Sequence, residues 1–166
     1  MKGEKSSGAA GYRMYVIARD AADLTANAGG LIVDRMMSGW RVSVQLSLEG
    51  DARPVQILGA ELVDAATPPG LPDEEQCILV MSADEYARAI SGDGQQLPAG
   101  CAEVLVWGES PDPSHLFGHT LSAAAQSFKT LAVAAAHLTV NEVAVSEVFT
   151  SLKHHIVDSA LRAVIT

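Results

Sequence analysis

The sequence predicts an α/β fold: a three-layer sandwich with a mostly parallel four- to five-stranded sheet and a C-terminal helical pair. Short apolar runs rich in β-branched residues alternate with helical patterns up to residue 108. Two stretches with helical apolar spacing and few turn residues then run from residue 113 to the end. Loops rich in proline and glycine, "TPPGLPDEEQ" (67–76) and "GDGQQLPAG" (92–100), separate the early segments. Alternation of this kind buries a parallel sheet between layers of helix.

The elements follow in order. "YRMYVIA" (12–18) is apolar and β-branched and ends at Arg19 and Asp20, which makes it a buried strand. Leu24, Ala28, Leu31, Ile32, Met36 and Met37 then recur at three- and four-residue intervals, a helix that Gly39 is placed to terminate. "WRVSVQL" (40–46) alternates as a second strand, and a strand–helix–strand unit implies a right-handed crossover between parallel strands. Residues 55–65 fit a helix better than a strand plus turn. "CILVM" (77–81) is a third strand, followed by a short helix to Ser91 opened by an S-x-x-E capping box, Ser82 and Glu85. "AEVLVWG" (102–108) is a fourth strand.

Of the two C-terminal helices, the first starts at Asp112 and Pro113 and carries Leu121, Ala124, Ala125, Phe128, Ala132 and Ala135 on one face. The second, with a Thr139/Glu142 capping box, carries Val145, Val148, Phe149, Leu152, Ile156 and Ala160. Val140, Val143, Val157, Leu161, Val164 and Ile165 widen its apolar surface beyond one stripe. That width suits either a subunit or protein-partner contact or a helix sandwiched within one domain.

Composition bounds the function. A chain of 166 residues, 48% hydrophobic, is long enough for one domain with its own core, residues 12–166, after a flexible tail at 1–11. Cys77 and Cys101 both sit beside apolar runs and read as small core residues, with neither a disulfide framework nor a four-cysteine zinc site. Twenty acidic against 11 basic side chains give a net charge of −9, so the surface repels nucleic acid and anionic lipid. The most apolar long segment, 131–140, is too short to span a bilayer, and a cytoplasmic protein is expected.

Candidate site residues gather around "TANAGGLIVDRMMSGWRVSV" (25–44). In a parallel sheet, ligands sit at the carboxyl ends of strands, where backbone N–H groups and a helix N-terminus receive anions. If residues 20–26 form a loop, Asn27 caps the helix and Gly29 and Gly30 lie at its start. Arg19 is then the nearest cation. If the helix starts after Asp20, both glycines fall inside it, at a propensity cost of roughly 2 kcal/mol, and serve close packing. The continuous apolar spacing favours the second arrangement. Neither G-x-G-x-x-G nor G-x-x-x-x-G-K-[ST] is present, so no cofactor is expected.

The unit at 12–46 resembles the opening strand, helix and strand of nucleotide-sugar transferases through Gly29, Gly30, Gly39, Trp40 and "VSV". The resemblance implies a nucleotide-binding α/β fold. It covers some 35 residues, and the chain lacks the second nucleotide-binding half of such enzymes.

Asp20, Asp84 with Glu85, and Glu109 each follow an expected strand, so a parallel sheet would bring them to one rim, where helix capping, a divalent cation or a base for a phosphoryl reaction would employ them. His115 and His119 would share a helical face, but without the glutamate of H-E-x-x-H no metal site is expected. His154 and His155 are adjacent and cannot chelate together. No G-x-S-x-G elbow is present. The expected function is therefore a non-catalytic module acting through self-association or a protein partner at its C-terminal helices. The alternative is a small enzyme or sensor for a nucleotide or other phosphorylated metabolite, bound near Arg19, Asp20, Asn27, Gly29, Gly30, Ser82 and Glu109.

Overall fold

A computed structural model describes residues 11–63, 76–92, 101–108, 115–138 and 143–152. The protein is α/β, and the described residues form four helices and a mixed sheet of seven strands. In chain order the elements are β1 (Tyr12–Ala18), α1 (Ala21–Met37), β2 (Arg41–Leu46), α2 (Arg53–Leu58), β3 (Glu61–Leu62) and β4 (Gln76–Ser82). They continue with α3 (Ala83–Ser91), β5 (Cys101–Trp107), β6 (Leu116–Thr120), α4 (Ala123–Ala135) and β7 (Ser146–Ser151). The strands lie in the order β3-β2-β1-β4-β5-β7-β6.

The first five of these strands run parallel, with Val16 of β1 opposite Val44 of β2 and Val80 of β4. Strand β7 is antiparallel to both β5 and β6. The sheet is thus larger than the four to five strands the sequence implies, although mostly parallel. Beyond the four strands named from the sequence, β3 arises within the 55–65 segment, and β6 and β7 come from the C-terminal region.

Side chains alternate across β1. Met14, Val16 and Ala18 face a core shared with α1, α2 and α4, where Leu24, Ile32, Val55 and Ala125 are buried. Tyr15 and Ile17 face the opposite side with Leu79, Met81 and Val106, against Tyr86 and Ala89 of α3. Both faces of the central strands are covered, which is why they read as unbroken apolar runs.

Helix α1 begins after Asp20, whose Oδ1 accepts the Asp23 amide at 2.8 Å. The Ser82 hydroxyl likewise accepts the Glu85 amide at 3.1 Å and caps α3. The Glu85 carboxylate meets Arg88 of the next turn at 3.4 Å. Between 53 and 62 the chain forms a short helix with Pro54 at its first turn, then a two-residue strand, so residues 55–65 supply a piece of each.

Two expectations are corrected. There is no C-terminal helical pair among the described residues: only the first helical pattern folds as a helix. Part of the second, with Val145, Val148 and Phe149, instead forms and flanks β7. The segment "SEVFTS" is rich in β-branched residues, and Glu147 and Phe149 are buried while Ser146 and Val148 are exposed. Period 2 wins there because β5 and β6 offer ladder partners on both sides. The Asp112–Pro113 start, the Thr139/Glu142 box and residues 153–166 lie outside the described residues, as does the tail at 1–10; the helix that does form is capped by Ser122.

The cysteines are the second correction. Cys77 and Cys101 are core residues, 1% and 8% exposed, but they are joined to each other in a disulfide between β4 and β5. The two strands are register neighbours at this point, with the Cα atoms 4.4 Å apart, a proximity that sequence spacing does not reveal. Among the described residues, no helix is long and apolar enough to cross a membrane.

Candidate functional site

From β1 the chain passes to β2 and β3 on one side of the sheet, then returns to β4 on the other side of β1. The carboxyl ends of β1 and β4 therefore flank the switch point, where α/β sheets open a crevice. Asp20 and Asp23 stand at the start of α1, Ser82 and Asp84 at the start of α3, and Trp107 ends β5. The sequence-selected Asp20 and Ser82 do meet at this rim. Each is engaged as a helix cap.

Asp23 lies at the centre of the group. Its carboxylate accepts the Trp107 indole N–H at 3.2 Å and the Asn27 side-chain amide at 3.0 Å, and its carbonyl accepts a second bond from that amide at 2.9 Å. Burial pushes the carboxyl above the ordinary aspartate value, and Asp20 and Asp84 push the same way, while the bonds from Trp107 and Asn27 oppose them. Asn27 thus braces Asp23 one turn along α1. Arg19 is exposed, and its carbonyl accepts the Leu48 amide at 2.9 Å. Glu109 lies outside the described residues.

Gly29 and Gly30 are not at this rim. They are buried in the middle of α1, facing Leu58, Leu121 and Lys129. A Cβ on Gly30 would stand 2.2 Å from Leu121 Cγ, and one on Gly29 would touch Leu58 and Lys129 at 3.4 Å. An anion does meet these amides, but the protein supplies it. The Glu147 carboxylate accepts the Gly30 amide at 2.8 Å and the Leu31 amide at 2.7 Å, and pairs with Lys129 Nζ at 2.8 Å. Glu147 and Lys129 are 4% and 2% exposed, so the pair is withdrawn from water.

The sequence reading missed this pair. Its one trace is Lys129 itself, a charge within the alanine-rich buried stripe of α4 that includes Ala125, Ala132 and Val133. A charge on an apolar stripe needs a buried counter-charge, but nothing local says that it stands on β7, 18 residues onward.

His119 is on β6 rather than on a helix with His115. Its Nε2 lies 2.8 Å from Asp34 Oδ2, and Asp34 also accepts the Ser122 amide at 3.1 Å and the Ser122 hydroxyl at 2.5 Å. Burial alone would raise the Asp34 carboxyl, but the two Ser122 bonds and His119 together hold it below the ordinary value. Because Ser122 Oγ donates to the carboxylate and not to His119, this serine, histidine and aspartate tie α1 to the cap of α4 and do not form a nucleophilic relay. Among the described residues, no three His, Cys, Asp or Glu side chains are grouped to hold a metal ion. His154 and His155 lie outside them.

No protein-family model matches the chain, and no curated protein matches it. Among solved structures the chain is similar to a deacetylase complex from the teicoplanin biosynthesis pathway, with 11% identity over 86% of this chain and 99% of that one and a TM-score of 0.53. A triple mutant of a deacetylase from the same pathway aligns over 74% of this chain and 80% of its own, at 11% identity and a TM-score of 0.45. At this identity the first likeness speaks to the fold alone.

Proposed function

We propose that this chain is a non-catalytic α/β module that acts through association, with itself or with a protein partner. One observation carries the reading: the Glu147 carboxylate seats itself on the Gly30 and Leu31 amides, the one place where the sequence offered a glycine-rich anion cradle. The rim residues Asp20 and Ser82 are likewise occupied as caps, and Asp23 is held by Trp107 and Asn27. The association half draws on Leu116, Val145 and Val148, which are 64%, 59% and 56% exposed on and beside the last two strands.

The alternative, an enzyme or sensor at the C-terminal edge of the sheet, draws on Asp23, a carboxyl with a raised pKa beside the switch point. Asp20 and Asp84 make that place a poor seat for a phosphate and a better one for an amine or a hydroxyl. The cytoplasmic placement expected from the sequence has the Cys77–Cys101 disulfide against it, since such bonds persist mainly in oxidising compartments.

A thermal-shift screen over nucleotides, sugar phosphates and amines, with acetate release from N-acetylated amines assayed beside it, separates the readings. No shift and no acetate is the expected result. A ligand-dependent shift or acetate release that Asp23→Asn abolishes would replace the association reading with the alternative.

A further inference from the structure

Resting on the association reading, we propose that the partner is a second copy of this chain and that the two copies join edge to edge, antiparallel, through β6. Main-chain hydrogen bonds on β6 alternate in direction along the strand. Ser151 donates its amide to His115 O at 2.7 Å, and Leu121 donates to Val145 O at 2.8 Å. In the register of β6 and β7, Phe117 lies opposite Phe149 and His119 opposite Glu147, so residues 115, 117, 119 and 121 turn their main-chain groups toward β7. The N–H and C=O of Leu116, Gly118 and Thr120 therefore point the other way, to the outer side of the sheet. Among the described residues no strand stands there.

The two edges of the sheet differ in kind. At the far edge β3 is two residues long and begins with Glu61, a strand too short and too charged to recruit another chain. Strand β6 has five residues, "LFGHT", with no lysine, no proline and no bulge in its pairing to β7. Among the described residues it therefore lacks the lysine, the proline and the bulge that keep many edges single.

A two-fold axis at Gly118 makes the edge self-complementary. Leu116 of one copy then pairs with Thr120 of the other, Gly118 pairs with itself, and about six main-chain hydrogen bonds form. A Cβ built on Gly118 meets nothing within 4 Å, so the axis is open. The local charge at this edge permits the same partner. The chain carries −9, yet Leu116, Gly118 and Thr120 and, beside them, Ser146 and Val148 are exposed and uncharged. Among the described residues, two copies therefore meet here without bringing carboxylates together. A five-residue edge is far smaller than a standard interface, so the dimer is expected to be weak, with a Kd in the range of about 10 µM to about 1 mM.

Sedimentation equilibrium across that concentration range tests the proposal, with amide exchange measured on the same samples. The average mass should rise from 17.4 kDa toward twice that value. The Leu116, Gly118 and Thr120 amides should slow as concentration rises, whereas Phe117 and His119, already bonded to β7, should not change. Gly118→Pro removes only an outward N–H, and Leu116→Lys places a charge on a side chain that is 64% exposed. Both variants should melt like the parent and dimerise at least tenfold more weakly. A dimer that survives both variants overturns edge pairing but leaves the association reading standing. A parent chain that stays monomeric throughout, with no concentration-dependent protection, overturns the second copy as partner. The association reading itself is decided separately, by the ligand screen.

Discussion

Replacing Glu147 with glutamine puts a number on the internal anion. The carboxylate is 4% exposed and receives three short bonds, from Gly30 at 2.8 Å, Leu31 at 2.7 Å and Lys129 at 2.8 Å. Glutamine keeps the shape but presents an NH2 where one acceptor stood, and it leaves the Lys129 ammonium buried without its counter-charge. Removing one partner of a buried ion pair costs about 3–5 kcal/mol, a large part of the roughly 5–15 kcal/mol that holds a domain together. At about 2–4 °C per kcal/mol for a chain of this size, Tm should fall by about 6–20 °C in a calorimetric or circular-dichroism melt. Lys129→Met should cost a similar amount. Glu147→Leu with Lys129→Met should cost less than the sum of the single changes by about 2 kcal/mol, since two apolar groups leave no stranded charge. A loss below about 1 kcal/mol in Glu147→Gln would refute the reasoning and return the glycine amides to the list of open anion sites.

Four further outcomes follow from the same structure. Gly30→Ala should destabilise by about 1–3 kcal/mol despite the better helix propensity of alanine, because its Cβ falls 2.2 Å from Leu121 Cγ; adding Leu121→Ala should recover part of the cost that Gly30→Ala imposes in a denaturant titration. The Asp23 carboxyl binds its proton more tightly folded than unfolded, so its contribution to stability is present below the ordinary value of 3.8 and is lost as pH rises through its raised value. Trp107 emission, followed with Trp40→Phe in the background, should report that titration, and Asp23→Asn should flatten it. Asp34 acts oppositely: its contribution is present above 3.8 and is lost as pH falls through its lowered value, and Asp34→Asn should remove it from the stability–pH curve. Finally, the oxidised chain should show no thiol for Cys77 or Cys101 on alkylation. Their separation of 24 residues sets a loop whose opening, in the double Cys→Ser variant, costs about 3.5 kcal/mol in a chain-entropy estimate.

Much of the strand–helix alternation up to residue 108 was legible because buried strands and amphipathic helices leave opposite periods in the apolar pattern. Leu24, Leu31 and Ile32 declared α1, and Ser82 with Glu85 declared the start of α3, since a cap acts within one turn of chain. Beyond residue 113 the same method misread β7. Val145, Val148 and Phe149 satisfy helical spacing over so short a stretch, and the ladder partners that make it a strand lie on β5 and β6. Asp20 and Ser82 came to the expected rim because residues that follow parallel strands converge there. Trp107 gave no sign of its bond to Asp23, 84 residues away.

By itself the sequence determined the α/β class and the caps at Asp20 and Ser82, because each depends on residues within a turn or a strand of one another. Tertiary structure alone decided that Cys77 meets Cys101, that Glu147 fills the glycine amides and that β6 stands at an edge. Those outcomes depend on which distant segments become neighbours, and pairing between segments is an energy of the whole sheet that no single stretch of chain encodes.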